Sequence, residues 1–317
     1  SHAFVAPYIA QYHFLGFDIY KYINQIKSTQ DEIDQTVFQA YGLNNTDITD
    51  IMNNYDYSDR NKMLSPFINK ENSMKSFISW IVGVVYGRFD LRAIFNSELL
   101  PKDISPYAYK PICSPGMLVG TDGYPAHKNK IASKEWLSIR SNENSLNKKK
   151  KNKNIVDYDF QYLIHICWEG ILVSDIGSPE DAVNRIIEVI DILWNDKSRS
   201  IISELCSDLR VESLREYLNN PSNFFADHIS RYSESSRKAP IYWQLATPSA
   251  SYSIWLYYHR FDKDTFYKAL EYIKEKLKHE EWNLESLHHE FGLNPNAGQR
   301  KQIEDQEFFV QELRGFR

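Results

Sequence analysis

Residues Ile241–Tyr258 read IYWQLATPSASYSIWLYY, and the fold turns on how this stretch is taken. Two runs rich in aromatic and branched residues, Ile241–Ala246 and Tyr252–Tyr258, flank the turn-like TPSAS of Thr247–Ser251. That arrangement predicts a β-hairpin. A period of two places Tyr252, Ile254, Leu256 and Tyr258 on one face and Ser253, Trp255 and Tyr257 on the other. One face is apolar and the other carries two aromatics, which favours a packed hairpin over an open base-stacking platform; such platforms serve single strands. Basic residues flank the hairpin: Arg237 and Lys238 before it, His259 and Arg260 after it.

Outward from the hairpin the pattern is helical. From Lys263 to the end, charges alternate in sign and Gly292 and Pro295 mark breaks. Upstream, Ser178-Pro179-Glu180-Asp181 reads as a helix start, with Ser178 as cap, proline at the first position and acids near the positive end of the dipole. Val183, Ile186, Ile187, Ile190 and Leu193 continue its apolar face. Shorter helices are expected over Ile201–Leu205, Glu212–Leu218 and Phe224–Tyr232. Near the start, helical spacing covers Ala6–Lys27 and Thr29–Tyr41. Thr29 and Glu32 resemble a capping box between them, and Gly42 is a C-cap candidate. A short helix follows from Thr46-Asp47 to Tyr55, then an apolar one over Met74–Arg88.

Between Asp90 and Val173, prolines at 101, 106, 111, 115 and 125 interrupt any helix. Strand-like runs at Cys113–Thr121 and Ile155–Val173 flank the polar loop Asn142–Asn154. The resulting expectation is an α+β fold, mostly helical, with a small β-rich middle domain and a C-terminal β-hairpin packed on helices. The parts are 1–90, helical; 91–176, β-rich; and 177–317, helical with the hairpin 241–258.

The 317 residues are 42% hydrophobic and 25% charged, enough apolar material for a real core. The net charge of −5 excludes a polyanion binder acting through its whole surface and leaves room for a local basic patch. Three widely spaced cysteines, Cys113, Cys167 and Cys206, suggest reduced buried thiols rather than a disulfide framework or zinc site. The longest apolar run, Phe77–Tyr86, falls short of the roughly 18 residues of a membrane helix. A cytoplasmic location with no membrane partner is expected. The chain opens Ser-His-Ala and stops within the helical pattern EFFVQELRGFR, so a fragment of a longer protein is expected.

Catalytic signatures are missing: no GxGxxG, Walker lysine loop, G-x-S-x-G or HExxH. His288 and His289 are adjacent on a helix and point to different faces, so they cannot chelate one metal. The acids of Pro179-Glu180-Asp181 are better explained by helix capping than as a nuclease centre. What stands out is a local excess of cations: Lys128, Lys130, Lys134, Arg140 and the run Lys148, Lys149, Lys150 and Lys151, then Lys153. A lysine run supplies phosphate contacts through counterion release without reading sequence. A solvated loop is the competing reading.

The segment RKAPIYWQLATPSASYSIWLYYHRFDKDTFYKAL (237–270) resembles the C-terminal region of PglX-type proteins. These are adenine-specific DNA methyltransferases of BREX phage-defence systems, related to type IIG restriction–modification enzymes. DEIDQTVFQAYGLNNTDI (31–48), SFISWIVGVVYGRFDL (76–91), SPEDAVNRIIEVIDILW (178–194), LREYLNNPSNFFADHISRYSESSRKAPIYW (214–243) and NPNAGQRKQIEDQEFFVQELRGFR (294–317) follow in the family's order. The resemblance implies methylation of adenine N6 with S-adenosylmethionine in an upstream domain. The family's Asn/Asp-Pro-Pro-aromatic tetrapeptide is absent here, as Asn220-Pro221-Ser222-Asn223 lacks the second proline and the aromatic. No catalytic residue carries over, and no cofactor is expected in this chain. It reads as the portion that grips double-stranded DNA while the adenine is flipped. Lys128, Lys130, Lys134 and Arg140 are candidates to position backbone or bases, Lys148–Lys151 to add phosphate contacts, and Arg237 and Lys238 to contact phosphate. Arg88, at the end of the apolar helix, is open between a partner contact and helix C-capping. The alternative function is a protein-interaction scaffold that docks other defence-system subunits.

Overall fold

The structure, a computed structural model, describes residues 19–54, 70–94, 116–118, 124–127, 163–234 and 237–316. The chain divides into two compact units, Ser1–Trp80 and Ile81–Arg317.

In the first unit, α1 (Ile19–Ala40) and α2 (Asn45–Asn54) are joined by a tight turn. The expected boundary at Ser28-Thr29 does not exist, and α1 runs through it. Thr29 and Glu32 form no cap, and the Thr36 hydroxyl instead bonds back to the Glu32 carbonyl at 2.8 Å. Nothing between Lys27 and Thr29 removes a backbone donor, so adding one more hydrogen bond per residue outweighs starting a second helix. Gly42 does close α1: its N–H donates to Gln39 and that of Leu43 to Phe38, the paired bonds of a Schellman end. The α2 start is a reciprocal cap: Asn44 Oδ1 accepts from Thr46 and Asp47, and Asp47 Oδ2 accepts from the Asn44 N–H. The helix α3 (Lys70–Val85) begins in this unit and ends in the second.

The second unit is built on a three-stranded antiparallel sheet in the order β1–β5–β4, with β1 at Ile171–Val173, β4 at Tyr242–Ala246 and β5 at Ser253–Tyr257. The hairpin forms as the alternation predicts, with Tyr242 opposite Tyr257 and Ala246 opposite Ser253. A two-residue ribbon, β2 (Ser233–Glu234) with β3 (Arg237–Lys238), precedes it. The strand β1, within 91–176, pairs with β5, within 177–317, so those two segments share one sheet. Of the strand-like runs expected in the middle segment, 113–115, 119–121 and 155–162 lie outside the described residues, and Met117 forms a lone bridge to Phe89.

The central strand β5 is buried throughout, and helices cover both of its faces. On one side, Tyr252, Ile254 and Leu256 join Ile171 and Val173 against Ala269, Ile273 and Leu277 of α8 (Thr265–Phe291) and Val310 and Leu313 of α9 (Ala297–Phe316). The turn is pinned there as well: Glu312 of α9 accepts from the Ser249 N–H at 2.8 Å and from the Ser249 and Ser251 hydroxyls. On the other side, Trp255 packs edge-on against Phe224 and Phe225, in the π-turn that joins α6 (Leu214–Asn219) to α7 (Ala226–Arg231). Tyr257 packs against Tyr86, just past the end of α3.

Two further helices, α4 (Ala182–Trp194) and α5 (Ser198–Leu209), lie between β1 and α6. The cap of α4 is not Ser178 but Asp181, whose carboxylate accepts from the Asn184 N–H at 3.0 Å. Asp181 is fully buried and is also held by both Arg215 nitrogens at 2.9 Å. A carboxylate that caps a helix and meets a guanidinium fork satisfies more groups than a serine can, so the start moves three residues on. Cys167 and Cys206 are buried free thiols, and Cys113 lies outside the described residues. Among the described residues no helix is long and apolar enough to cross a membrane.

Candidate nucleic-acid interface

Of the residues assigned to DNA contact from sequence, Lys128, Lys130, Lys134, Arg140, Lys148, Lys149, Lys150 and Lys151 lie outside the described residues. Arg237 and Lys238 form β3, and Lys238 is exposed. The structure adds cations at the open end of the hairpin that sequence patterns did not single out as a group: Arg88, His259 and Arg260.

Arg88 follows the α3 terminus. Its N–H donates to the Gly83 carbonyl at 2.7 Å while Gly87 bonds back to Val84, so backbone capping accounts for its main chain. Its side chain is free for another role. The guanidinium donates to the Tyr232 hydroxyl at 2.9 Å and lies over the Phe89 and Tyr232 rings at 4.9 and 5.7 Å. Behind it, Tyr86, Tyr242, Tyr257 and His228 form a packed aromatic cluster. His228 is fully buried, and its Nε2 accepts from the Ile241 and Tyr242 N–H groups at 2.9 and 3.0 Å. Those two donors fix the ring as neutral with the proton on Nδ1. Burial, then the charges of Arg88 and Arg231, push its pKa down to about 3.

Arg260 ends the short 3₁₀ turn Tyr258–Arg260 that leaves β5. Its Nη2 donates to the Ala126 carbonyl at 2.8 Å, its Nη1 to His127 Nδ1 at 2.9 Å, and its carbon lies 5.0 Å from the Trp168 ring centre. Glycine makes this approach possible. Gly170 has φ +72°, and a Cβ there would sit 2.6 Å from Arg260 Cβ; one on Gly87 would meet Ile166 at 2.7 Å and Arg260 Nη2 at 3.6 Å. Arg260 is thus seated beside the Gly87-Arg88 corner.

Tyr257 and the exposed His259, ring centres 5.6 Å apart, both lie within the field of Arg88 and of Arg260. Partial burial, then the fields of Arg88 and Arg260, lower the His259 pKa. The ionisable neighbours acting on Arg88 are Tyr242 and Tyr232, and those on Arg260 are Tyr257 and Cys167. Among the described residues neither arginine forms an ion pair. Elsewhere in the unit, Arg92 pairs with Asp90, Arg185 with Glu188, Arg215 with Asp181, Arg231 with Asp227 and Arg314 with Glu281, while the exposed Arg199, Arg210 and Arg300 have no ion pair among the described residues.

Two open clefts lie away from this patch. One, of about 760 Å³, runs along α4, α5 and the start of α6 between Arg199, Cys206 and Arg215. The other, of about 470 Å³, lies between the β1–α4 loop and α8. Its acids are mostly neutralised within the protein: Asp175 by Lys276, Glu169 by Lys268 and Glu271 by Lys274. In the β1–α4 loop, Arg215 donates to the Ser174 hydroxyl and to both Asp181 carboxylate oxygens. Among the described residues no cluster of three or more His, Cys, Asp or Glu could hold a metal ion.

The signals that could have flagged this site are an arginine directly after a helix end, Gly87-Arg88, and a basic pair directly after a strand, His259-Arg260. Only folding brings Gly170 against Arg260. No protein-family model matches the chain, and a search of curated proteins finds none similar to it.

Proposed function

We propose that this chain is the DNA target-recognition and clamp portion of an adenine-N6 site-specific DNA methyltransferase of a phage-defence or restriction–modification system. Methyl transfer and S-adenosylmethionine binding are assigned to an upstream domain. The enzyme class rests on the ordered resemblance. The DNA-binding role rests on one structural observation: Arg260 anchors Ala126 and His127, and the cation-rich segment starts at the next residue, Lys128. Lys128 is bonded directly to His127, which Arg260 holds, and among the described residues Arg88 forms no ion pair. A net-acidic protein that gathers cations at one end has a local field able to draw a polyanion.

The test is fluorescence anisotropy of the 317-residue chain with a labelled duplex over a salt series. Binding at low salt that weakens steeply as salt rises supports the reading. Absence of duplex affinity at low salt, with methylation by the parent enzyme unchanged after Lys148–Lys151 are replaced by glutamine, sinks it.

A second reading, docking of other defence-system subunits, is favoured by the exposed Phe266, Tyr267, Trp282 and Phe308 on α8 and α9. Pull-down with candidate subunits tests it. Loss of capture after Trp282 and Phe308 are changed to serine, with DNA binding retained, places the partner there; no capture by the unaltered chain rejects it.

A further inference from the structure

We infer that Arg88, His259 and Arg260 form a phosphate-binding site that takes a phosphodiester of a nucleic-acid backbone. The inference rests on the DNA-binding reading above and gives it a specific contact point. The first argument is electrostatic. Two partly buried guanidiniums lie beside one exposed imidazole, and no described carboxylate pairs with either, although acids outnumber bases in the chain by 42 to 37. Taking a cation partly out of water without a counter-ion is unfavourable, and an external anion supplies what the protein does not.

The second argument is pre-organisation. Arg88 is held by Tyr232 and by the Phe89 ring, and Arg260 by Ala126, His127 and Trp168. Each fork is oriented before ligand arrives, so little side-chain entropy remains to be lost. Guanidinium forks match phosphate oxygens bidentately, and an imidazole within their field gains a proton as the anion approaches.

The third argument selects the ligand class. Arg260 holds His127, and the lysine-rich segment starts at the next residue, Lys128. An extended polyanion with evenly spaced charges suits that layout, and a duplex backbone is one. No base-edge contact is needed, so the site contributes affinity and register rather than sequence choice.

The experiment compares the unaltered chain with His259→Glu, His259→Lys and Arg88→Lys, using labelled duplex by anisotropy and sodium tripolyphosphate by calorimetry. His259 is exposed, so His259→Glu plants a carboxylate within the field of both arginines without opening the core; matching far-UV spectra and melting temperatures confirm folding. The site predicts duplex binding weakened about tenfold or more in His259→Glu, with a salt slope lower by about one to two. His259→Lys retains affinity, Arg88→Lys is intermediate, and tripolyphosphate follows the same order. Duplex binding that is unchanged in His259→Glu overturns the site and leaves the DNA-binding reading standing. Tripolyphosphate binding lost in His259→Glu, with no duplex affinity in the unaltered chain, overturns the nucleic-acid assignment together with that reading. Binding of none of these ligands overturns both.

Discussion

Arg260 Nη1 lies 2.9 Å from His127 Nδ1, so the end of the hairpin holds the residue from which the lysine-rich segment departs. The contact depends on Gly170, whose backbone lets the Arg260 stem pass at a distance no side chain would allow.

Gly170→Ala should therefore cost more than the usual glycine change. The residue has φ +72° and its new Cβ would meet Arg260 Cβ at 2.6 Å. Backbone strain alone is about 1–3 kcal/mol, and displacing Arg260 adds to it. Gly292→Ala, also at positive φ but with nothing within 4 Å, is the control: it carries the backbone strain of about 1–3 kcal/mol without the clash. Urea unfolding of the two variants decides; equal losses would rule out the steric account of Arg260 placement.

Asp181 and Arg215 form a buried pair that also caps α4. Arg215→Met leaves a fully buried carboxylate without its counter-ion and should cost about 3–5 kcal/mol. Adding Asp181→Asn removes the stranded charge while keeping a good cap, so the double variant should be more stable than Arg215→Met alone. A double-mutant cycle by chemical denaturation checks this, and additive losses would contradict it.

His228 links the helix α7 to the first residues of the hairpin through an imidazole that must stay neutral. Its folded pKa of about 3 lies below the ordinary 6.5, so the unfolded chain binds the extra proton across that interval. Its contribution is complete above pH 6.5 and is lost as pH falls from there toward 3. Unfolding free energy measured at pH 7, 6 and 5 should decline, and His228→Gln, which keeps an acceptor but cannot titrate, should flatten that decline. An unchanged slope in the variant would reject the assignment.

Glu280 governs a lower window. Burial works against its charge, but hydrogen bonds from Lys276, Asn283 and Gln306 outweigh it and hold its pKa down at about 2, below the ordinary 4.5. Its contribution is present above pH 4.5 and lost as pH falls toward 2. Glu280→Gln should lower stability at pH 7 yet converge on the unaltered protein near pH 2, as measured by urea unfolding across that range. A constant deficit at every pH would show that the carboxylate's charge is not what matters.

What sequence alone determined about this protein is local and periodic. Alternation named the two faces from Tyr252 to Tyr257 correctly, because a strand's side chains must alternate whatever covers them, but it also put Tyr258 on the apolar face, whereas Tyr258 is exposed because the strand ends at Tyr257 and a 3₁₀ turn begins. Gly42, Gly292 and Pro295 marked helix ends because φ preference and a missing N–H act within one turn. What only tertiary structure decided is every feature whose partners are distant in sequence. Ile171–Val173 becomes a strand because β5 offers its edge. Asp181 displaces Ser178 as cap because Arg215 reaches it. A run of three residues has no period to read, and the placement of a charge depends on what folding brings beside it. For the same reason Arg88 and Arg260, noted separately along the chain, are brought to one end of the hairpin only by folding, and among the described residues neither has an ion pair.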